Sequence, residues 1–220
     1  DIGGAIPETA REAFITVMTN EACMVVSTAD KLFREVVRYR SKNHLLVTNG
    51  VNYEHFHSRI LRNLVPEKLK HIVTQGKIII GYFGALAPWF DLDLVVKLAN
   101  QRPDYHIVLI GVVYDNDPKW RRINQKNITI TGQINYINLP EYASWFDVCM
   151  IPFLINEITE STSPIKLFEY MALGKPIVTT AMPESRKYRS VLIGENHADF
   201  IVKIDKAIAL REDKDYLELV

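Results

Sequence analysis

The stretch "STSPIKLFEYMALGKPIVTT", Ser161 to Thr180, changes its local pattern twice. After the small polar residues, the sequence from Pro164 to Gly174 has helical character, and an apolar strand follows. Ser163 suits the N-cap of this helix and Pro164 its first helical position. The stretch therefore predicts a loop, a helix and a strand in succession.

The front of the predicted helix has the features of an anion site. The N–H groups of Ile165 and Lys166 would point away from the positive end of the helix, where phosphate binds readily. Lys166 adds a cation, and the Glu169 side chain points back toward the helix N-terminus, within reach of a ribose hydroxyl. The same residues also fit a capped helix with a solvated Lys and Glu, and on their own they favour neither interpretation.

Short apolar runs, rich in Ile and Val, recur along the whole chain and predict strands that are covered on both faces. The eight runs are "ACMVVS" from Ala22, "HLLVT" from His44, "KIIIGYF" from Lys77, "YHIVLIG" from Tyr105, "ITITG" from Ile128, "DVCMIPF" from Asp147, "KPIVTT" from Lys175 and "SVLIG" from Ser190. Helix-like segments lie between them, among them "STADKLFREVVRYR", with Ser27 or Thr28 as its cap, and "DLDLVVKLANQRP". This alternation predicts an α/β fold, a doubly wound, Rossmann-like parallel sheet with helices on both faces.

Composition narrows the function. The 220 residues include 26 basic and 26 acidic residues, and this balance argues against a nucleic-acid binder. Cys23 and Cys149 lie in apolar runs, so both are expected to be buried thiols in a reducing compartment. No run reaches the roughly 18 apolar residues that span a bilayer. The N-terminal residues lack the pattern of a signal peptide, and the chain is expected to be a piece of a longer protein.

Two further loops follow predicted strands, where ligands bind in open parallel sheets. In "GYFGALAPWFD", Gly81 to Asp91, the glycines allow close approach to the backbone, and "TGQIN", Thr131 to Asn135, offers backbone groups to a base. Neither loop contains a dinucleotide fingerprint or a P-loop. A plain turn is an alternative for each. His55 and His57 lack further ligands at metal-binding spacing, so no metal site is expected.

Taken together, these passages resemble a known family. "NGVNYEHF" and the helix before it resemble the hinge passage of GT-B glycosyltransferases, and "IIIGYFGAL" resembles the glycine loop of their C-terminal domain. "ITITGQINYINLPEYASWFDVCMIPF" and "SPIKLFEYMALGKPIVTT" resemble the base-binding passage and the donor-binding helix. From about Ala22 to Leu210, the chain resembles the retaining, family-4-like enzymes of glycosyl transferases group 1.

The resemblance implies a division of the chain. Residues 1–48 would be the last βα unit of the N-terminal acceptor domain, 49–76 a hinge or linker, and 77–220 the C-terminal domain that binds the nucleotide-sugar donor. The residue composition changes between Asn49 and Gly76, where turn residues surround a charged segment, and this change agrees with a linker. The rest of the acceptor domain would lie outside this chain.

The resemblance also implies roles for single residues in two loops. Gly84, Ala85 and Leu86 would lie near the donor diphosphate and the reaction centre. Gln133 and Ile134 would flank the base.

At the donor helix, Ser163 would lie in the site, and the N–H groups of Ile165 and Lys166 would hold the diphosphate. Glu169 would accept hydrogen bonds from the ribose as the second Glu of the family's Glu–seven residues–Glu motif. No catalytic residue can be named from the sequence.

The chain departs from the family in two places. The first Glu of the motif falls on Ser161, so contacts to the donor sugar would come from Glu160, Ser161 or Thr162. The basic residues that often follow the glycine loop are replaced by "APWFDLD", so Lys166 would have to compensate in part.

The function implied is transfer of a sugar, with retention, from a nucleoside diphosphate sugar to an acceptor hydroxyl, in the synthesis of bacterial surface polysaccharide. The acceptor would be a sugar or a lipid-linked sugar bound by the N-terminal domain, and no metal or other cofactor is expected. The full-length protein would be cytoplasmic, with peripheral membrane association an option, and this chain alone would turn over little. The alternatives are a non-catalytic nucleotide- or protein-binding module, a nucleotide-sugar epimerase of the same architecture and, least favoured, a response-regulator-like domain.

Overall fold

A computed structural model describes residues 8–57, 64–114 and 117–220 of the chain. In this part of the chain, all eight predicted strands are present, and they form two separate parallel sheets. The strands are β1 (Val25–Ser27), β2 (His44–Leu46), β3 (Ile78–Phe83), β4 (Tyr105–Ile110), β5 (Ile128–Gly132), β6 (Val148–Ile151), β7 (Ile177–Thr180) and β8 (Val191–Gly194). The helices are α1 (Glu8–Thr16), α2 (Asp30–Tyr39), α3 (Tyr53–His57), α4 (Lys70–Val73), α5 (Leu92–Gln101), α6 (Leu139–Ala143), α7 (Glu157–Glu160), α8 (Ile165–Ala172), α9 (His197–Leu210) and α10 (Lys214–Leu217).

The larger sheet has six parallel strands in the order β5-β4-β3-β6-β7-β8. The chain therefore moves from β3 outward to β5, returns to β6 on the other side of β3, and continues outward to β8. The direction reverses between β3 and β6, and open α/β sheets bind ligands at the carboxyl ends of the strands at such a point. The predicted α/β, doubly wound fold is confirmed.

The core of this sheet explains why its strands lack alternation. All four residues of β6 and all four of β7 are buried, because helices cover both faces of the sheet. From α5, α8 and α9 come fully buried side chains such as Leu98, Leu167 and Ile204. Each such side chain contributes about 2 kcal/mol through burial.

The smaller sheet consists of β1 and β2 and is covered on one face by α2. On the other face Met24, Val26, Leu45 and Val47 are about half exposed, with fractions of 55%, 53%, 48% and 52%. The prediction of a buried thiol at Cys23 was wrong: this residue, just before β1, is exposed. Cys149, in β6, is buried as predicted.

The start of α2 also differs from the prediction. Neither Ser27 nor Thr28 caps the helix; Ala29 occupies the N-cap without a side-chain hydrogen bond. The N–H of Asp30 donates instead to the carboxylate of Glu184, from the segment after β7, at 2.8 Å. A carboxylate distant in sequence thus replaces the local capping side chain, and local sequence propensity does not reveal such a partner.

The predicted division at residues 48/49 and 76/77 stays a prediction. Part of the predicted linker, residues 58–63, lies outside the described residues, as does the start of the N-terminal segment. None of the helices in the described ranges has both the length and the apolar character that crossing a bilayer requires.

Candidate functional site

The predicted site residues lie at the carboxyl edge of the six-stranded sheet, where the strand order reverses. The glycine loop follows β3, the loop of Gln133 follows β5, and α8 begins at the same edge between β6 and β7. Residues far apart in the sequence therefore come together, as the resemblance implied.

The glycine loop is tightly fixed. Gly84 has φ +138°, a region that favours glycine, and its N–H donates to the carbonyl of Ile110 at 2.8 Å. A Cβ built on Gly111 would lie 1.9 Å from the Gly84 carbonyl oxygen, so the two backbones touch. The Tyr82 hydroxyl donates to the carbonyl of Ala85 at 2.9 Å. Leu86 is buried and pairs with the segment after β4, whereas Gly84 and Ala85 are partly exposed.

The front of α8 begins one residue later than predicted. Pro164, extended at ψ 119°, occupies the N-cap position, and the hydroxyl of the buried Ser163 makes no capping hydrogen bond. The Ser163 carbonyl instead accepts a hydrogen bond of 2.6 Å from the Asn49 side chain, which fixes the chain in an extended path before the helix. Within the described residues, the N–H groups of Ile165 and Lys166 have no acceptor, so the pair expected to face an anion is in place.

Lys166 crosses from the helix to the glycine loop. A Cβ built on Gly84 would lie 2.1 Å from Lys166 Cε and 2.7 Å from its Nζ, so only glycine leaves room for this side chain. The ammonium lies 5.6 Å from the ring centroids of both Tyr82 and Phe153. Burial lowers the pKa of Lys166, and the nearby charge of Glu169 opposes that effect.

Glu169 is the most perturbed carboxyl group of the site. Its side chain is 6% exposed, and in the described part of the chain its carboxylate accepts no hydrogen bond. Burial raises its pKa to about 7, against a smaller opposing effect from Lys166. A largely buried carboxylate without protein donors is costly, and a ligand with hydroxyl or N–H donors would lower that cost.

The loop after β5 presents a backbone turn and an aromatic ring. Gln133 is exposed, Ile134 packs against the core, and Tyr136 is 50% exposed. The ring of His55 stacks on Tyr136 with 4.8 Å between centroids, and its Nε2 lies 3.1 Å from the Tyr136 carbonyl oxygen. Burial raises the pKa of Tyr136, and the negative charge of Glu169 raises it further. Sequence reasoning missed Tyr136, because no local pattern shows which aromatic residue meets the site.

The passage before β3 reaches the site through two further polar contacts. The Asn49 amide donates to Ser163, as described, and Lys68 Nζ donates to the Thr131 carbonyl at 2.7 Å. Together with His55, these residues hold the loop after β5 and the front of α8. Asn49 belongs to the "NGV" turn, so the turn could have been suspected from the sequence but its partner could not.

The three candidates for sugar contacts differ in their engagement. The Ser161 and Thr162 hydroxyls donate to carbonyls one helical turn earlier, at 2.8 and 2.7 Å. The Glu160 carboxylate pairs with Lys31, from α2, at 2.8 Å, and both side chains are about two-fifths exposed. Glu160 is thus the only one of the three that presents a carboxylate, and it is paired across the two sheets.

The segment after the glycine loop has a structural role. Asp91 is the N-cap of α5, where it accepts from the N–H of Leu94 at 2.9 Å, and its other oxygen lies 2.8 Å from His197 Nε2. Asp93 lies in the first turn of α5. In the described residues, no group of three His, Cys, Asp or Glu side chains could hold a metal ion.

The six-stranded sheet and its helices have the Rossmann-like fold of GT-B glycosyltransferases. Residues 77–211 match the family described as "Glycosyl transferases group 1", and the chain belongs to that family. The predicted resemblance is confirmed.

Known proteins resemble the chain in sequence and in structure. Over 208 residues it is 27% identical to a Bacillus subtilis (strain 168) protein named as a teichuronic acid biosynthesis glycosyltransferase, TuaH, and the match covers 89% of this chain and 51% of that protein. The chain thus spans about half the length of that relative. Anabaena Alr3699/HepE, solved in complex with UDP and glucose, superposes with TM-score 0.69 at 13% identity, over 99% of this chain and 61% of that one. A trehalose 6-phosphate synthase from Burkholderia multivorans gives TM-score 0.74 at 11% identity, over 96% of this chain and 57% of that one.

Proposed function

We propose that the chain is the donor-binding half of a retaining glycosyltransferase that uses a nucleoside diphosphate sugar. The observation that carries this proposal is the convergence of Lys166, the buried Glu169 and two N–H groups without acceptors on one glycine loop, at the point where the strand order reverses. These groups complement a diphosphate and a ribose placed side by side.

In this proposal each group of the site contacts one part of the donor. The N–H groups of Ile165 and Lys166, with the Lys166 ammonium, bind the diphosphate, and Glu169 accepts hydrogen bonds from the ribose hydroxyls. Gln133 and Ile134 lie beside the base, and the Gly84 backbone faces the reaction centre.

Transfer breaks the bond between the anomeric carbon and the diphosphate oxygen. The acceptor oxygen forms the new bond on the same face of the sugar, and its hydroxyl proton passes to the departing diphosphate oxygen or to water. The nucleoside diphosphate departs with the negative charge that develops on its oxygen. Preorganised N–H groups and a cation stabilise such a charge, and they supply a large part of the rate enhancement in many enzymes.

Glu160 is the proposed contact to the donor sugar, in place of the Glu that the family has at the position of Ser161. The Ser161 and Thr162 hydroxyls already donate to backbone carbonyls, which leaves them acceptor capacity only. Glu160 would exchange Lys31 for a sugar hydroxyl when the two sheets move relative to each other.

The relatives support the rest of the proposal. HepE was solved with UDP and glucose, and TuaH is named for teichuronic acid biosynthesis, so we propose a nucleotide-sugar donor and a product among bacterial surface polysaccharides. A sugar or lipid-linked acceptor, a cytoplasmic location with peripheral membrane association, and transfer without a metal or another cofactor belong to the same proposal.

A nucleotide titration followed by amide NMR tests the site. UDP or GDP should shift the amide resonances of Gly84, Gln133, Ile165 and Lys166, and a nucleoside monophosphate should shift them less. Glu169→Ala should remove the response, whereas Glu218→Gln, a change on the exposed surface of the C-terminal end, should retain it.

If the folded protein responds to no nucleotide, the proposed donor site is wrong. If it binds UDP but a longer chain that includes the acceptor domain transfers no sugar, the function becomes that of a binding module. Conversion of the sugar without an acceptor would identify an epimerase instead.

A further inference from the structure

The cation of the proposed site comes from an unexpected element. The segment after the glycine loop, residues 87–93, contains no Lys or Arg, although the resemblance led us to expect basic residues there. The inference below rests on the proposed function and concerns how the chain replaces that charge.

The fold explains why this segment has no cation. Ala87 and Phe90 are buried, at 2% and 0% exposed, and the carbonyl of Trp89 accepts a hydrogen bond of 2.8 Å from the N–H of Leu154. Phe90 also pairs with Phe153 in an isolated antiparallel bridge. The segment is thus joined to the chain that follows β6, and a cation at Ala87 or Phe90 would be buried, whereas Pro88 and Asp93 are exposed.

The same pairing brings the Phe153 ring to Lys166. Two aromatic rings flank the Lys166 ammonium: Tyr82, near the end of β3, and Phe153, after β6. The centroid of each ring lies 5.6 Å from Lys166 Nζ. Within the described ranges, no carboxylate lies within 4.0 Å of this nitrogen. Aromatic faces attract a cation without neutralising it, so its charge remains available to a phosphate.

Hydrogen bonds that do not involve Lys166 hold the Tyr82 ring and the Phe153 backbone. The Tyr82 hydroxyl donates to Ala85, and the Thr180 hydroxyl donates to the Phe153 carbonyl at 2.7 Å. The rings also meet edge to face, 6.2 Å apart. The two rings therefore form a preformed aromatic surface, called here the aromatic seat, which holds the long, flexible side chain of Lys166 against Gly84.

We propose that Tyr82 and Phe153 are positioning residues that hold the Lys166 ammonium beside the glycine loop, where it neutralises the donor diphosphate in place of the basic segment. The rings act through Lys166 and not on the substrate. They should consequently affect affinity for the phosphates and leave affinity for the nucleoside unchanged.

The test compares UDP with uridine on the 220-residue chain, by NMR titration. Lys166→Met should remove most of the preference for UDP over uridine. Phe153→Leu should reduce this preference roughly threefold to tenfold, the range of one cation–π contact at a partly buried site. Phe200→Leu, which truncates another fully buried ring in α9, is the matched control and should leave the preference unchanged.

A purely structural role for Phe153 would weaken both ligands equally or neither, and either result overturns the proposal. If the unaltered chain binds neither ligand, the proposed function fails instead. If Phe153→Leu does not fold, a measurement on the unaltered chain tests the proposal. The two rings should shift the Lys166 Hε resonances upfield, and these resonances should move on addition of UDP but not of uridine. Hε resonances at ordinary lysine positions would refute the seat.

Discussion

The two edges of the six-stranded sheet each hold a buried titratable side chain, with opposite surroundings. At the carboxyl edge, Glu169 lies beside a cation and two N–H groups without acceptors, and burial raises its pKa to about 7. Near the amino edge, His106 in β4 is 3% exposed and contacts Thr129 through Nε2 at 2.9 Å. Burial, with the charges of Lys77 and His71, lowers the pKa of His106 to about 4.

A perturbed pKa does not by itself identify a ligand-binding site. His106 Nδ1 has no hydrogen-bond partner among the described residues, yet its neighbours are strands of the core. Glu169 is distinguished by its neighbours, which are complementary to a charged ligand, and by its place at the edge where parallel sheets bind.

The largest expected effect concerns stability as a function of pH. Between pH 4.5 and 7 the folded state holds the Glu169 proton more tightly than the unfolded state, so acidification stabilises the fold by up to about 3 kcal/mol. Between pH 6.5 and 4 the unfolded state binds the His106 proton more tightly, so acidification destabilises the fold by a similar amount, about 3 kcal/mol at most.

Urea unfolding from pH 4.5 to 7.5 separates the two effects. On acidification, the free energy of unfolding of Glu169→Gln should fall, and that of His106→Gln should rise. The free energy of unfolding of the unaltered chain should change less than that of either variant. Parallel curves for the two variants would refute the assignment of these pKa values.

The second prediction concerns ligand binding. Glu169→Gln should weaken UDP binding roughly 100-fold, because each of two hydrogen bonds loses about 1–1.5 kcal/mol when its charged acceptor becomes neutral. His106→Gln should leave UDP affinity unchanged. Isothermal titration calorimetry at pH 8 measures both, and equal losses in the two variants would mean that both act only through the fold.

The third prediction compares glycines at the two edges. Gly84→Ala places a methyl group 2.1 Å from Lys166 Cε at φ +138°, and we expect it to cost about 2 kcal/mol of stability and to weaken UDP binding. Gly174→Ala, at φ +61° after α8, meets open space and should cost about 1 kcal/mol. Thermal unfolding checks the order, and a larger loss for Gly174→Ala would contradict it.

The smallest effect is the pH dependence of binding. Because Glu169 must be ionised to accept two ribose hydrogen bonds, UDP affinity should fall about tenfold between pH 8 and pH 6. Uridine, which has the same ribose, should follow the same profile. A profile seen with UDP alone would assign the titration to a phosphate group instead.

Periodicity and turn residues predicted the eight strands and the sheet edge where the loops meet, because these depend on local pattern and on the rule for parallel sheets. The role of Glu169 came from the resemblance to the family, since its local sequence fits a capped helix equally well. The cap predicted at Ser27 or Thr28 was wrong, because Glu184, distant in sequence, accepts from the Asp30 N–H. The cap predicted at Ser163 was wrong as well: Asn49 holds the Ser163 carbonyl, and α8 begins one residue later. The aromatic seat of Lys166 was also beyond prediction, since it depends on which rings converge in three dimensions.

The passage before β3 is attached to the small sheet at one end and to the front of α8 at the other. The N–H of Val47 bonds to Ser27 in the small sheet at 2.9 Å, and the Asn49 side chain bonds to Ser163 beside α8 at 2.6 Å. Residues on either side of Thr48 are therefore fastened to different bodies, and a relative rotation would act on the torsions of that single residue. Such a rotation would separate Lys31 from Glu160. His55 and Lys68 would move together with the loop after β5, because both are hydrogen-bonded to it.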